Sequence, residues 1–455
     1  MANAKTPAPL SGFPELLPGQ RMVETQIIDG LRRTFELHGF APVETRAVEP
    51  IEGLTGGADI DKEIYALRRL ADIGAKDGDA EAGLGLHFDL TVPFARYVLE
   101  NAGKLDFPFR RYQIQKVWRG ERPQSGRYRE FTQADIDIIG KGRLDFHHDV
   151  EVARVMAEAL GALPVGKLRL QVNNRKVLQG FLLGIEATDP RSAMQAIDKL
   201  DKLPYNVIAD LLIESGLSDE RARQFLQLAT IESKSDDFVR QVRDLGIKHE
   251  LLDEGLDELA AVMGGLQDLN SERIRVEAHL RIARGLDYYT GTVFETRLIG
   301  SEALGSICSG GRYDSLATDG RNTYPGVGIS LGLSRLLVPL FADGSLTPSR
   351  SVPSAVLVAI VDEPSRWAST TVAQTLRDHG VAAEVFASAE KFGKQIRFAH
   401  RRGIPYVWFP ATGPDAGHEV KDIRSGDQVP ADPDTWLPAA VDLKPGIITT
   451  PKPAE

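Results

Sequence analysis

Two blocks of strand-patterned sequence on either side of a long helical stretch constrain this chain more than any other feature. The first block runs from Leu84 to Ile139, with strand-like segments at Leu86-His87-Phe88, Phe109 to Trp118 and Phe131 to Ile139, interrupted by a turn-rich segment at Glu121 to Arg127. Loops this short imply antiparallel pairing. Strand patterns return at Arg273 to Arg284, Gly291 to Leu298, Gly305 to Tyr313 and Gly326 to Leu337. Between the blocks, from about Asn174 to Asp268, the pattern is helical, with polar breaks such as Leu217-Ser218-Asp219. The expectation is an α+β domain built on one antiparallel sheet, residues 1–173 and 269–343, carrying a helical insertion at 174–268.

Helical spacing also marks Gln20 to His38, where Val23, Ile27, Leu31 and Phe35 share a face, and Asp145 to Leu160. Pro42 to Pro50 reads as extended and begins the sheet. After a linker at Asp343 to Pro353, strands at Ala355 to Val361, Ala382 to Phe386 and Tyr406 to Phe409 alternate with helices at Ser365 to His379 and Lys391 to Arg402. That order predicts a C-terminal, mostly parallel α/β domain over 353–455, with only the last Pro- and Thr-rich residues disordered.

A length of 455 residues fits two or three domains at roughly 150 residues each. No apolar run reaches the ~18 residues of a membrane span, and Met1 to Gly12 has neither the apolar core of a secretory signal nor the arginines of a transit peptide. The cytoplasm is the expected compartment. A lone cysteine, Cys308, excludes an intramolecular disulfide and a Cys-based zinc cluster. The net charge of −10 argues against indiscriminate nucleic-acid binding, so any basic site must be local.

Such a site is offered by Arg110, Arg111, Lys116, Arg119, Arg122, Arg127 and Arg129, whose guanidinium forks suit phosphate and carboxylate oxygens. Their clustering alone fits a solvated, salt-bridged strand face equally well. Three further windows carry ligand chemistry. Arg284-Gly285-Leu286-Asp287-Tyr288-Tyr289-Thr290-Gly291 brackets a pair of aromatic walls with glycines, although a plain hairpin explains the segment alone. Gly305 to Tyr313 combines a strand with a glycine turn. Gly326 to Arg335 alternates Val327, Ile329 and Leu331 with Gly and Ser inside a strand, which excludes a dinucleotide fingerprint and leaves one bare strand face on which a flat ligand can lie. His147-His148 with Asp145 and Asp149 reads as a solvated helix start, since adjacent histidines do not share a helix face.

Together these windows resemble the class II aminoacyl-tRNA synthetases, and within them the histidyl-tRNA synthetase family, over nearly the whole chain. Val43 to Pro50 is similar to the first class motif, WRGERPQSGRYREFTQADID from Trp118 to the second, and Gly326 to Leu336 to the third. RGLDYYTGTVFE from Arg284 and SGGRYDSL from Ser309 resemble segments particular to the histidine enzymes. The resemblance implies an anticodon-binding C-terminal domain, a homodimer, and tRNA(His), L-histidine and ATP as partners. It implies that Asp89, Thr91, Gln133 and Asp137 bind histidine with Tyr288 and Tyr289, and that Arg119, Glu121, Arg127 and Arg335 bind ATP. Arg119 and Arg284 would be catalytic at the α-phosphate, Arg284 standing where other class members place a metal ion. Asp89 and Asp137 depart from the Glu of many bacterial members; the charge is kept on a side chain one methylene shorter.

The implied reaction is attack of the histidine carboxylate on the α-phosphate of ATP, then transfer to the 3′ end of tRNA, with Mg2+ accompanying ATP and no tightly bound protein metal. A pocket that hydrogen-bonds the imidazole can discriminate by ~10⁴–10⁵ without editing, so the insertion is expected to touch the tRNA acceptor arm instead. The anticodon contacts stay open, with Lys391, Lys394, Arg397, Arg401 and Arg402 as basic candidates on one helix. The alternative is a synthetase-like regulatory subunit of ATP phosphoribosyltransferase, which lacks the C-terminal domain and diverges in the arginine motifs.

Overall fold

The structure, a computed structural model, describes residues 8–55, 61–70, 83–285, 288–413 and 416–450. Leu286 and Asp287 of the aromatic window, and the tail from residue 451, lie outside the described residues. The chain divides into two compact units, Met1–Pro14 with Asp29–Pro339, and Glu15–Ile28 with Leu340–Glu455.

In the first unit the strands are β1 (Ala41–Pro42), β2 (Val48–Pro50), β3 (Ala66–Leu67), β4 (Leu84–Leu86), β5 (Phe109–Trp118), β6 (Glu130–Ile139), β7 (Leu168–Asn174), β8 (Glu232–Ser233), β9 (Ile274–His279), β10 (Thr292–Leu298), β11 (Ser306–Thr318) and β12 (Thr323–Gly332). Nine form one sheet, in the order β1-β5-β6-β12-β11-β10-β7-β9-β8, and β2, β4 and β3 form a small antiparallel sheet. From β5 to β7 every pairing is antiparallel, so both sequence blocks build a common sheet. Parallel pairs appear towards the edges, where β1 joins β5 and β7 joins β9. The extended reading of Pro42 to Pro50 resolves into two separate strands, β1 and β2, which enter different sheets.

Register explains which residues this sheet buries. Tyr112, Ile136, Ile329, Gly310, Phe294, Val172 and Ala278 stand in one row across seven strands. This apolar face lies under α4 (His147–Gly161), whose Val152, Val155, Met156 and Ala159 are buried. One residue along, the facing row is polar throughout: Gln113, Asp135, Ser330, Ser309, Glu295, Gln171 and Glu277. A side-chain period of 2 separates the faces, and burying polar groups at both ends of such a row is costly unless they are paired.

Helices occupy most of the chain between β7 and β9: α5 (Arg175–Gly184), α6 (Pro190–Ile197), α7 (Tyr205–Glu214), α8 (Asp219–Ala229), α9 (Asp237–Arg243) and α10 (Glu250–Leu266). Side chains of Asn174, Asp189 and Ser218 accept backbone N–H groups at the starts of α5, α6 and α8. The stretch is not helical throughout, because β8 leaves it to pair with β9 at the sheet edge. Gln20 to His38 forms α1 (Pro18–Leu37), burying Val23, Ile27, Leu31 and Phe35 as the spacing predicts.

The second unit holds β13 (Leu346–Pro348), β14 (Val356–Val358), β15 (Ala383–Val385), β16 (Tyr406–Phe409), β17 (Glu419–Asp422), β18 (Gln428–Pro430) and β19 (Ile447–Thr449). Its five-stranded sheet has a parallel centre, β15-β14-β16, with antiparallel β17 and β18 beyond it. The stretch expected to be a linker contains β13, which pairs with β19 near the C-terminus.

Candidate active site

Residues of β6 set the chemistry of the polar face. Gln133, Asp135 and Asp137 alternate along the strand, so all three point the same way. Asp137 lies opposite Arg111 on β5 and opposite Gly328 on β12. Arg111 Nη2 sits 2.6 Å from Asp137 Oδ2, and the Tyr313 hydroxyl donates to Oδ1 at 2.8 Å. The guanidinium also lies over the Phe94 ring, 4.4 Å from its centroid. Arg111 is fully buried, which removes it from the arginines available to phosphate.

Between β6 and β10 the polar face carries only small residues. Ser330 and Ser309 continue the row of Asp135, and Gly328 and Gly311 continue the row of Asp137. A Cβ at Gly328 would collide with the Asp137 carboxylate, and one at Gly311 with the Tyr289 ring. Both glycines are buried, so the alternation makes room for the Asp137 carboxylate and the Tyr289 ring to lie close against the sheet. A recess of about 230 Å³ opens here, lined by Thr91, Asp135, Asp137, Tyr289 and Ser330.

Asp89 stands at the start of α3 (Thr91–Asn101), where its Oδ1 accepts the Val92 N–H at 3.1 Å. Burial pushes its carboxyl up to about 6, against the pull of that N–H, Arg119 and Arg111, with Asp137 adding to the rise. Asp135 rises further, to about 7, again through burial first, with Arg111 and Ser330 opposing and Asp137 and Asp89 reinforcing. Ser330 Oγ donates to Asp135 Oδ1 at 2.5 Å, and Gln133 Nε2 reaches Ser330 Oγ at 2.5 Å. The rings of Tyr288 and Tyr289 lie 4.2 Å apart at 52°. Arg175 Nη1 holds the Tyr289 carbonyl at 2.7 Å.

A second group of residues is cationic. Arg119 Nε donates to the Phe88 carbonyl at 3.0 Å, and its guanidinium lies over Phe131. Arg127 pairs with Glu121 at 3.2 Å. Arg335, in the first turn of α11 (Leu333–Ala342), donates from Nε to the Leu304 carbonyl at 2.8 Å. Burial first, and then the positive charges of Arg127 and Arg284, lower Arg335 to about 10, so the three guanidinium groups share one neighbourhood. Arg284 Nε lies 2.5 Å from Glu295 Oε1 on β10, the strand that bounds these small residues opposite β6. The arginine-rich window thus splits: Arg119 and Arg127 join this group, whereas Arg110 pairs with Glu151 and Lys116 with Glu130.

The residues expected to form a site therefore fall into two neighbouring sets, carboxylates around Asp135 with Arg119 beside Asp89, and the guanidinium groups of Arg127, Arg284 and Arg335. Asp135, Ser330 and Tyr313 were not singled out from the sequence, although the spacing of Gln133, Asp135 and Asp137 places all three on one strand face. The family model described as histidyl-tRNA synthetase matches residues 12–336, well over half of the chain. The chain belongs to the histidyl-tRNA synthetase family.

A second family model, the anticodon binding domain, matches residues 355–409. A histidine–tRNA ligase of Cutibacterium acnes is 56% identical over 454 residues, covering 97% of this chain and 99% of that protein. Among solved structures, a histidyl-tRNA synthetase from a Nostoc species is 34% identical with a TM-score of 0.82, covering 95% of this chain and 98% of that one. A Bacillus halodurans protein described as an ATP phosphoribosyltransferase regulatory subunit/histidyl-tRNA synthetase shares the fold alone, at 19% identity and a TM-score of 0.70, over 87% of this chain and 96% of that one.

Outside this candidate site, His147, His148 and Glu151 bring one ligand atom each within 4.8 Å of one another. Adjacent histidines thus do converge in the first turn of α4, contrary to the expectation that they would diverge. Glu151 is engaged by His148 Nδ1 and by Arg110.

Proposed function

We propose that this chain is a histidine–tRNA ligase that activates L-histidine with ATP and transfers it to the 3′ end of tRNA(His). The observation that carries the reading is a recess lined by Thr91, Asp135, Asp137, Tyr289 and Ser330, with Arg119 beside Asp89 and with Arg127, Arg284 and Arg335 sharing one neighbourhood. Histidine lies towards Asp89, Thr91, Gln133, Asp137, Tyr288 and Tyr289, and the nucleotide towards Glu121, Arg127 and Arg335. Arg119 bridges the two, because it is close enough to Asp89 to lower its carboxyl pKa.

In the first step a histidine carboxylate oxygen attacks the α-phosphorus and pyrophosphate leaves. Arg119 and Arg284 hold the charge that develops on the phosphoryl oxygens, in a site where positioning and electrostatics dominate. Glu295 keeps Arg284 in place. In the second step the terminal ribose hydroxyl of tRNA attacks the carbonyl of the adenylate; no protein base is assigned. Mg2+ usually takes one or two carboxylates together with substrate phosphates. The carboxylates beside Arg284, Glu295 and Asp198, are both paired with guanidinium groups, so the ion arrives and leaves on the nucleotide.

The catalytic domain comprises 1–173 and 269–343, the insertion 174–268, and the anticodon-binding domain 353–455. The enzyme is a cytoplasmic homodimer; no helix among the described residues is long and apolar enough to cross a membrane. Light scattering after size exclusion tests the dimer. Histidine-dependent exchange of labelled pyrophosphate into ATP tests the activity. Exchange specific to histidine, followed by charging of tRNA(His), supports the ligase; histidine binding without exchange transfers the reading to a regulatory subunit.

A further inference from the structure

Between α6 and α7 the insertion turns back onto the polar face of the sheet. Asp198 caps the C-terminal end of α6, where its N–H donates to the Met194 carbonyl at 3.1 Å, and Asp201 follows three residues later. Both line a polar recess of about 290 Å³ together with Arg281, Arg284, Glu295 and Arg297. Asp198 Oδ1 lies 3.7 Å from Arg284 Nε, the nitrogen that Glu295 Oε1 approaches at 2.5 Å. Asp201 takes the neighbouring cations: its Oδ1 lies 3.4 Å from Arg281 Nε, and its Oδ2 accepts from Arg297 Nη2. Building on the ligase reading, we propose that Asp198 and Asp201 are positioning residues for adenylate formation: Asp198 holds Arg284 directly, and Asp201 keeps Arg297 from drawing Glu295 away from it.

The competition is for one buried carboxylate. Glu295 offers Oε1 to Arg284, while its Oε2 already lies 3.4 Å from Arg297 Nη2. That same Arg297 nitrogen meets Asp201, so the charge on Asp201 sets how much of Glu295 is left for Arg284. Burial favours protonation of Asp201, but Arg281 and Arg297 outweigh it and hold the carboxyl below its usual range. Without that charge, Arg297 turns to Glu295 and Arg284 loses its closest partner. Packing does not fix Arg284 instead. The recess leaves open space beside it, and Gln171 Nε2 and Arg297 Nε are buried without a hydrogen-bond partner among the described residues. Both carboxylates approach Arg284 at Nε, which leaves the outer end of the guanidinium fork to phosphoryl oxygens. Misplacing such a group by about 1 Å can cost ~10² in rate. The turn after α6 thus serves the chemical step, although it belongs to the insertion.

Pyrophosphate exchange by the full chain tests this with Asp201→Asn and Asp198→Asn, each made alone and together with Arg284→Ala. Asp201→Asn should lower kcat at least tenfold and Asp198→Asn at least threefold, with KM for histidine and for ATP within threefold of the parent. Beside Arg284→Ala, neither change should lower kcat by more than a further twofold, because the group they act through is gone. Losses that multiply in that background, a kcat within twofold of the parent in every folded single variant, or an effect confined to KM overturns the proposal and leaves the ligase reading intact. Melting temperatures identify the folded variants, and Asp198→Asn carries the comparison alone should Asp201→Asn not fold. Absence of exchange in the parent is the separate result that sinks the ligase reading, and the positioning role with it.

Discussion

Arg111 and Asp137 face each other across the β5–β6 hairpin, 2.6 Å apart, with neither side chain more than 3% exposed. Such a pair adds little net stability, yet removing one member strands the other. Asp137→Asn should therefore destabilise the first unit by ~3–5 kcal/mol, and the double change Arg111→Met with Asp137→Leu by clearly less. Urea titration followed by fluorescence compares the two; equal losses would mean that the pair is not what the hairpin depends on.

Asp135 makes stability depend on pH in an unusual direction. Its carboxyl titrates at about 7 in the folded chain against an ordinary 3.8, so the folded state holds the proton more tightly. Raising the pH from about 4 to about 7 must then remove stability, at most ~4 kcal/mol at about 1.4 kcal/mol per unit. Without substrate, Asp135→Asn should match the parent in melting temperature at pH 4 and exceed it at pH 8. A parent that gains stability relative to the variant over that interval would refute the assignment.

Arg284 meets the reacting phosphate under the proposed mechanism, so its loss belongs in the chemical step. Arg284→Ala should lower kcat for pyrophosphate exchange by ~10²–10³, the usual cost of a lost charge-stabilising donor. Histidine affinity, read by calorimetry, should stay within a few-fold. A change confined to KM would instead make Arg284 a binding residue.

Gly328 has no room for a side chain, because its Cβ would enter the space of the Asp137 carboxylate. Gly328→Ala should cost ~1–3 kcal/mol in stability, as overpacking does. It should also raise KM for histidine far more than KM for ATP. Measuring both constants on the folded fraction checks the second effect, and an equal rise in the two would place the strain elsewhere.

The helices α7 and α8 are the part of the insertion suited to excision, since α5 and α10 pack on one another, β8 completes the sheet edge and Asp198, just after α6, pairs with Arg284. Replacing Tyr205–Ala229 by a short linker should reduce charging of tRNA(His) at least tenfold more than adenylate formation. Equal loss of both activities would end the acceptor-arm proposal.

Much of this organisation was legible before folding. The strand-like stretch Phe131 to Ile139 and the Gly/Ser alternation in Gly326 to Leu331 both fold as strands, β6 and β12. Clustering could not reveal which arginines turn inward; Arg110 and Arg111 are adjacent, yet one pairs with Glu151 on the helix-covered face and the other lies under the site. β8, β13 and β19, at two or three residues each, are too short for periodicity to detect. The neighbourhood of Arg127, Arg284 and Arg335 arises only from long-range pairing, which spacing along the chain does not encode.

β6 is hydrogen-bonded to β5 along one edge and to β12 along the other. Its carboxyl groups consequently cannot relieve their repulsion by a local shift of the backbone, as groups on a loop would. The free protein carries a repulsion among these carboxyls that protonation or an incoming cation relieves. Selectivity and instability are in this sense one property, and a variant that makes the empty enzyme sturdier at this strand should be expected to make it less discriminating.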